Sequence, residues 1–554
     1  MRPRPPVTIW MMLLGDLGRT LVVTTVILVG VIAFAGAIKP LAEGKIGPAD
    51  ALRLTMLLSV PMLQFALPFA AGFSATLTYH RFAADNEAMA SSAGGLGYGS
   101  LLAPAALIGL ALSLVLAVLS NQLIPSFLRS AEQLVQRDIT RLMVMPIKQG
   151  RSIRLGSYDI YADQAVGPMQ ADPSTGALEH LVLFGVIAVN ADDDNAVTAA
   201  KRVDVWLFED PSDRQGTAVQ FRFSGVWSGS EGGAMRQERT VTKRFPIPLT
   251  VSDDPKFLSY ADMQAARLQP RLIHEVDVKA RALAAGLELE RMIQSLRRRV
   301  ELEGRAVLEG PDARLSIAAD GLVSQGEGTW SLLPRPNASV IELTARTTGA
   351  RERVQRAAAA MLDVEGRDAQ IGGRAGGAAT FALGLTDVVT IDPDGSGVNV
   401  EIESQEYTRL QPAGLGPDPF VGSTLDELLA SADAVLARGS DQSERIEQLR
   451  NAAMERNAEL QRELTSKLHE RAAYAVACLI MVVSGAIIAL RLRESLPLPV
   501  YLWSFFPALF AIITISTGQR LTYQQGAAGL GLLWGGVALL GVLTLVQFAR
   551  LRRH

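Results

Sequence analysis

One stretch of the sequence has the spacing of a calcium-binding loop. Asp392, Asp394, Ser396 and Glu403 stand at positions 1, 3, 5 and 12 of that pattern, with Gly397 at position 6. Their oxygens could ligate Ca2+ if helices flanked the loop on both sides. The flanking residues favour a β-turn, because VVTI precedes the loop and apolar residues alternate after it. These residues are therefore a candidate calcium site, and a simple β-turn is the alternative interpretation.

No combination of residues predicts an enzyme or a bound cofactor. The chain has no G-x-x-x-x-G-K-[ST] phosphate loop, no G-x-S-x-G and no H-x-x-x-H. Its five histidines are scattered, at positions 80, 180, 274, 469 and 554. Any work driven by ATP would therefore depend on a separate ATPase.

Long apolar stretches are the most prominent elements of the sequence. The chain has 554 residues, is 49% hydrophobic and has a mean hydropathy of +0.21. A helix of roughly 20 apolar residues crosses a bilayer. Six stretches without a charged residue or histidine are long enough, or nearly so: 21–38, 54–79, 101–128, 472–490, 495–519 and 526–549. The sequence therefore predicts six transmembrane helices, three before and three after a large polar region.

Charge and cysteine content exclude other classes. The net charge of −3 argues against general nucleic-acid binding. The single cysteine, Cys478, falls inside an apolar stretch and predicts packing, not a disulfide. Gly531 and Gly535, four apart in GLGLLWGG, would permit close helix packing.

The distribution of Lys and Arg predicts the orientation. Short loops on the cytosolic side of a membrane are enriched in these residues. With the N-terminus inside, the inner side would carry Arg2, Arg4, Arg19, Arg81, Arg491, Arg493, Arg550, Arg552 and Arg553. The outer short loops would carry only Lys39, Lys45, Arg53 and Arg520. Both termini and segment 80–98 are therefore expected in the cytosol, and the polar region outside. A cleaved signal peptide at the N-terminus is the alternative.

The polar region, 129–471, reads as one β-rich external domain. Short alternating runs from about 150 and again from about 305 predict antiparallel strands. A helical pattern near 259–305 interrupts them and indicates an insertion. A long polar helix over 440–471 leads into the fourth span. The predicted domains are thus 1–128 and 472–554, both transmembrane, with 129–471 between them.

The segment 79–98, YHRFAADNEAMASSAGGLGY, connects the second and third spans. Residues near 82–95 could form a short helix that ends at Gly94-Gly95. Asp85, Asn86 and Glu87 would lie in its first turn, where acidic groups suit the helix dipole. Such a helix could dock in a cytosolic motor protein, or it could simply connect the spans.

Three short motifs and the layout resemble a known family. They are RFAADNEAMASSAGG after span two, NQLIPSFLRSAEQL (121–134) after span three and HER (469–471) before span four. Three spans, a β-rich external domain and three more spans resemble the LptF/LptG (YjgP/YjgQ) permeases of the lipopolysaccharide-export ABC transporter. The resemblance implies a jellyroll-like periplasmic domain and a multi-pass protein of the cell inner membrane.

The resemblance also implies partners and sites. The segment after span two would be a coupling helix docked in LptB-like cytosolic ATPase subunits, through Arg81, Asp85, Asn86 and Glu87. Glu87 matches the family's acidic contact. Lys39, and less directly Lys45, would meet lipid phosphates at the outer end of span one. Other implied partners are a paralogous or identical permease subunit, an LptC/LptA-like periplasmic bridge protein, and lipopolysaccharide or another glycolipid.

The function predicted is that of a permease subunit of a lipid exporter. Two alternatives stay open. One is an FtsX/MacB-like mechanotransmission subunit, although that family usually places its large domain after the first span. The other is a membrane-anchored structural or sensor protein with no ATPase.

Overall fold

The computed structural model describes most of the chain in two compact units. The described residues are 6–42, 48–136, 152–155, 158–170, 177, 179–190, 197–209, 217–230, 233–237, 241–247, 254–311, 313–326, 328–336, 338–347, 353–365, 380–391 and 400–553. The first unit comprises Met1–Leu268 and Glu459–His554, and the second comprises Gln269–Ala458.

Six helices among the described residues are long and apolar enough to cross a membrane, which confirms the six predicted spans. They are α1 (Val7–Ala42), α2 (Pro48–Ala84), α4 (Tyr98–Val118) with its continuation, α9 (Ser443–Arg491), α10 (Pro497–Gln525) and α11 (Ala527–Leu551). The remaining helices are α3 (Glu87–Ala93), α5 (Ile124–Gln136), α6 (Tyr260–Leu268), α7 (His274–Glu303) and α8 (Leu425–Arg438).

Hydroxyl groups join the spans to one another. The pairs are Thr24 with Ser74 at 2.9 Å, Thr76 with Ser504 at 3.1 Å, and Tyr474 with Ser516 at 2.9 Å, measured between oxygens. They link α1 to α2, α2 to α10 and α9 to α10. Such bonds between side chains of different helices stabilise helix association in an apolar environment. The bonds therefore fix which helix faces meet.

Glycines bring α10 and α11 into close contact, but they are not the predicted pair. A Cβ added at Gly518 of α10 would lie 2.5 Å from the backbone nitrogen of Leu533 in α11. A Cβ at Gly531 or Gly535 would meet nothing within 4 Å. The prediction of close packing between glycine-containing helices is therefore correct. The face of α11 that contacts α10 is not the one that carries Gly531 and Gly535.

The third span continues into an amphipathic helix. A π-helical turn, Leu119–Leu123, follows α4 and leads into α5. Ala131 of α5 packs in a small buried cluster with Ala37 of α1 and Leu54 of α2. The C-terminal parts of α1 and α5 therefore share a contact with the start of α2.

Seven strands of the first unit form an antiparallel sheet. They are β1 (Ile153–Leu155), β2 (Tyr158–Gln170), β3 (Glu179–Asn190), β4 (Val197–Glu209), β5 (Thr217–Ser230), β6 (Gly233–Gln237) and β7 (Val241–Ile247). Strands β1 to β6 pair in chain order, and β7 also pairs with β5. One face is apolar and includes Leu181, Leu183, Val203, Val205 and Phe221. Gly185 and Gly225 have φ of 61° and 67°, which permits an irregular turn inside β3 and β5.

Nine strands of the second unit form a closed barrel with an extension. They are β8 (Arg305–Glu309), β9 (Ala313–Ala318), β10 (Gly321–Gly326), β11 (Thr329–Leu333), β12 (Ile341–Thr347), β13 (Arg353–Ala357), β14 (Ala359–Glu365), β15 (Thr380–Ile391) and β16 (Val400–Pro412). The order is β10-β11-β14-β15-β13-β12-β9-β8-β16, and β16 also pairs with β15, which closes the ring. Helix α7 contributes Met292, Leu296 and Val300 to the barrel's core.

The predicted fold class, a helical membrane protein with a β-rich part, is confirmed, with one refinement. The helical stretch expected within 259–305 forms α6 and α7, and it lies between two sheets instead of inside one. In the described residues, β1–β7 pair only with one another, and so do β8–β16. Alternation along a chain predicts strands but not their partners, so the sequence indicates one β domain. The long helix expected over 440–471 is the first part of α9, which runs unbroken to Arg491.

Gly518→Ala should destabilise the α10–α11 pair. The added Cβ would meet backbone, which cannot swing aside, and overpacking costs about 1–3 kcal/mol. We expect a lower midpoint of thermal unfolding for the purified protein in detergent. Gly535→Ala is the matched control, since its Cβ meets nothing and alanine favours a helix over glycine by about 1 kcal/mol. Equal midpoints for the two variants would contradict this packing.

Candidate functional site

The segment between the second and third spans is a turn followed by a short helix. Helix α2 ends at Ala84, and α3 runs over Glu87–Ala93. The backbone N–H of Asp85 donates to Arg81 O at 2.9 Å. Asn86 has a left-handed φ of 61°, which asparagine tolerates better than most residues. The chain therefore leaves α2 at Asp85-Asn86 and enters α3 directly.

The end of α3 lies where the two glycines predict it. The N–H of Gly94 donates to Ala90 O at 3.0 Å, and that of Leu96 donates to Ser91 O at 3.1 Å. Gly95 has a φ of 88°, which suits glycine at a helix C-terminus. These bonds satisfy carbonyls of the last turn, so the short helix has a defined end.

One side of this segment is anchored in the membrane unit. Phe82, Ala83 and Ala88 are buried, and Tyr79 is fully buried. The Tyr79 hydroxyl donates to Leu101 O of α4 at 2.9 Å. The segment is thus held to the ends of both spans that it connects.

The other side of the segment is exposed and carries the predicted site residues. Arg81, Asp85, Asn86 and Glu87 are all exposed, and so is Met89, at 49%. Within the described part of the chain, the side chains of Asp85, Asn86 and Glu87 make no hydrogen bond or ion pair. The structure therefore brings these residues onto one turn with two unneutralised carboxylates. Together with the buried side, this makes a rigid, acidic projection.

Sequence reasoning missed Met89. Its exposed apolar side chain lies next to the acidic turn and adds a hydrophobic contact to a charged surface. No signal in the sequence could have identified it, because the inward packing of Ala88, the buried residue of α3, is seen only in the structure. Neighbours of an inward residue on a two-turn helix point outward.

Of the predicted lipid-contacting residues, Lys39 lies near the opposite end of α2 from the acidic turn. Lys39 is exposed in the last turn of α1. Nearby, Ala37 packs on Leu54, close to the start of α2, whereas Glu87 follows the end of α2. Lys45 lies outside the described residues. The structure therefore does not bring the two predicted sites together.

The calcium-loop candidate lies mostly outside the described residues. This applies to Asp392, Asp394 and Ser396, whereas Glu403 is exposed on β16. The elements on either side, β15 and β16, are antiparallel strands with Thr390 opposite Val400. An EF-hand has helices there. Among the described residues, no group of three potential metal ligands is found.

Comparison with known proteins finds a similarity over about the first third of the chain. Residues 13–184 match the model of the family described as the lipopolysaccharide export system permease LptF/LptG. The match covers the first three spans, α3, and the chain as far as β3. The resemblance predicted from the sequence is therefore confirmed. No curated protein matches the chain.

Asn86→Val should loosen α3 without disturbing α2. A β-branched residue in the left-handed region costs about 1–2 kcal/mol, which corresponds to roughly tenfold in a local equilibrium. We expect backbone amides of 87–96 to exchange with deuterium about tenfold faster, read by mass spectrometry on the protein in detergent. Asn86→Gly keeps the conformation and should exchange as the wild type does. Unchanged protection in the valine variant would contradict the role of this turn.

Proposed function

We propose, on the basis of the match to the LptF/LptG permeases, that this chain is the permease subunit of an ABC-type lipid exporter. Its substrate would be lipopolysaccharide or a related glycolipid, extracted from the inner membrane. The six apolar helices and the β-rich part agree with such a subunit. The matched family consists of transport permeases, so ATP hydrolysis belongs to a separate partner.

The observation that carries the proposal is the acidic projection after the second span. It lies inside the matched range, its base is anchored by Tyr79 and Phe82, and its tip presents Asp85 and Glu87 unpaired. An acidic projection whose carboxylates have no partner among the described residues suits a groove lined by basic groups in another protein. The partner expected is an LptB-like ATPase, with Glu87 and Asp85 facing basic groups of its groove. Arg81 and Asn86 would add contacts at the rim.

The topology follows from the charge bias of the loops. Both termini and α3 would lie in the cytosol, and residues 129–471 in the periplasm. This arrangement puts the acidic projection on the side where the ATPase and ATP are found. It puts Lys39 at the outer end of span one, where it can meet lipid phosphates.

The path of the lipid is proposed by analogy with the family. The lipid would enter between spans one and five, α1 and α10, from the outer leaflet. Closure driven by ATP would push it toward the β-rich part. An LptC/LptA-like bridge would receive the lipid, and a paralogous or identical subunit would complete the permease.

The first test is co-purification of the cytosolic ATPase with wild-type protein and with Glu87→Arg. An unpaired charge in an interface costs about 2–5 kcal/mol, so binding should weaken at least about tenfold. Glu494→Arg is the matched control, because Glu494 has an 88% exposed side chain in another short connection expected on the same side.

Each result of this test has a definite meaning. Loss of the ATPase in Glu87→Arg but not in Glu494→Arg supports the proposed docking. Equal binding by all three proteins would reject Glu87 as the contact while keeping the permease. Absence of any ATPase from folded wild-type protein would favour the anchored structural or sensor protein. If the ATPase binds but no lipid is transferred, the mechanotransmission subunit becomes the better reading.

A further inference from the structure

A short segment outside the spans is packed into the membrane unit. We call residues 254–268 the tether. It consists of a 3-10 turn, Pro255–Phe257, and helix α6. Phe257 is 3% exposed and Met263 is fully buried. Both residues lie within the unit formed by Met1–Leu268 and Glu459–His554.

A buried arginine binds the tether from α9. Arg471 is only 4% exposed. Its Nη2 donates to Leu258 O at 2.9 Å and to Pro255 O at 3.3 Å, and its Nη1 lies 3.8 Å from Met263 Sδ. All three partners belong to the tether.

A second arginine binds the same turn from α5. Arg129 Nη2 donates to Phe257 O at 2.8 Å and lies 3.9 Å from an oxygen of Asp262. Arg129 falls in the motif at 121–134 and Arg471 in the motif at 469–471. Two motifs that are far apart in the chain therefore bind the same short segment. Their arginines contact three of its backbone carbonyls, those of Pro255, Phe257 and Leu258.

The chemistry of these contacts requires guanidinium groups. The carbonyl of Pro255 accepts the backbone N–H of Leu258 at 3.3 Å, whereas the last carbonyls of this turn, those of Phe257 and Leu258, receive no bond from within it. A guanidinium offers five N–H donors in a fixed plane, so one arginine can satisfy two carbonyls and a third contact. The neighbouring carboxylate of Glu470 is bound by Lys467 at 2.7 Å. Backbone carbonyls therefore supply the hydrogen-bond acceptors that a buried Arg471 needs.

The far end of the tether is bound to α9 as well. Arg267 Nη2 donates to Thr465 Oγ1 at 2.6 Å. Thr465 lies six residues before Arg471, so it is nearly two turns away on the same helix. The tether is thus fixed to α9 at both of its ends and to α5 at its first turn.

We infer that Arg471 and Arg129 are positioning residues for lipid transfer. They hold the tether between α5, which follows span three, and the part of α9 that enters span four, so these two helical segments move as one piece. Closure of the spans would then reach the external part of the chain through this connection. The inference rests on the proposed function.

The experiment compares Arg471→Gln, Arg471→Lys and Arg129→Gln with the wild type, in complex with the ATPase. Arg462→Gln is the matched control, since Arg462 lies on the same helix but donates to Gln524 O in α10. Three quantities are measured: deuterium exchange of peptides covering 255–268, ATPase bound and ATP hydrolysed, and lipid transferred per ATP.

We expect exchange in the tether to rise at least tenfold in both glutamine variants. ATPase binding and hydrolysis should stay within twofold of the wild type, because the acidic projection is untouched. Lipid transferred per ATP should fall at least tenfold. Arg471→Lys should give an intermediate ratio, since an ammonium keeps the charge but not the planar fork. Arg462→Gln should match the wild type.

Unchanged exchange in the tether would overturn the proposed contact. Faster exchange with an unchanged ratio of lipid to ATP would overturn the positioning role. If Arg471→Gln does not fold, Arg129→Gln decides, because its side chain is 40% exposed and its loss is tolerated more easily. Wild-type protein that binds ATPase but transfers no lipid would reject the proposed function, and the positioning role with it.

Discussion

The constraint on which the structure depends is the absence of hydrogen-bond partners in lipid. Every backbone N–H and C=O in the hydrocarbon must be satisfied within the chain. Helices do this residue by residue, and the spans add hydroxyl bonds to their own carbonyls, as in Thr544 to Leu540. The backbone departs from a helix at Asp85-Asn86, where the side chains are polar and exposed. The short helix α3 can therefore project from the bundle because the turn before it lies beyond the apolar stretch.

Outside the spans the same requirement is met by two different sheets. In the described residues the first is a meander, and its strands β2 to β5 contribute the side chains of one buried apolar face. The second closes on itself, and α7 covers part of its core. Within the described residues, closure pairs both edges of the strands in the ring, whereas β10, at the end of the extension, remains an edge strand.

Patterns that depend on neighbours in the chain were predictable from the sequence, and contacts between distant residues were not. Apolar length predicts the six spans, and Gly94-Gly95 predicts the end of α3. The exposure of Asp85 and Glu87 follows from their place after an apolar stretch. By contrast, the sequence could not predict that Gly518, and not Gly535, lies at the contact between α10 and α11. The spacing of glycines does not show which face of a helix packs against its neighbour. Arg129 and Arg471 gave no signal of a shared target, since the carbonyls that they bind belong to a segment more than 100 residues from either.

The barrel of the second unit begins and ends on neighbouring strands. Leu308 of β8, its first strand, is opposite Pro412 of β16, its last. The chain therefore enters and leaves the barrel at almost the same place. A module with adjacent ends can be gained or lost through one insertion or deletion, with a short joint and no rerouting of the chain. The barrel could therefore be inserted or removed as one module without altering the order of the spans.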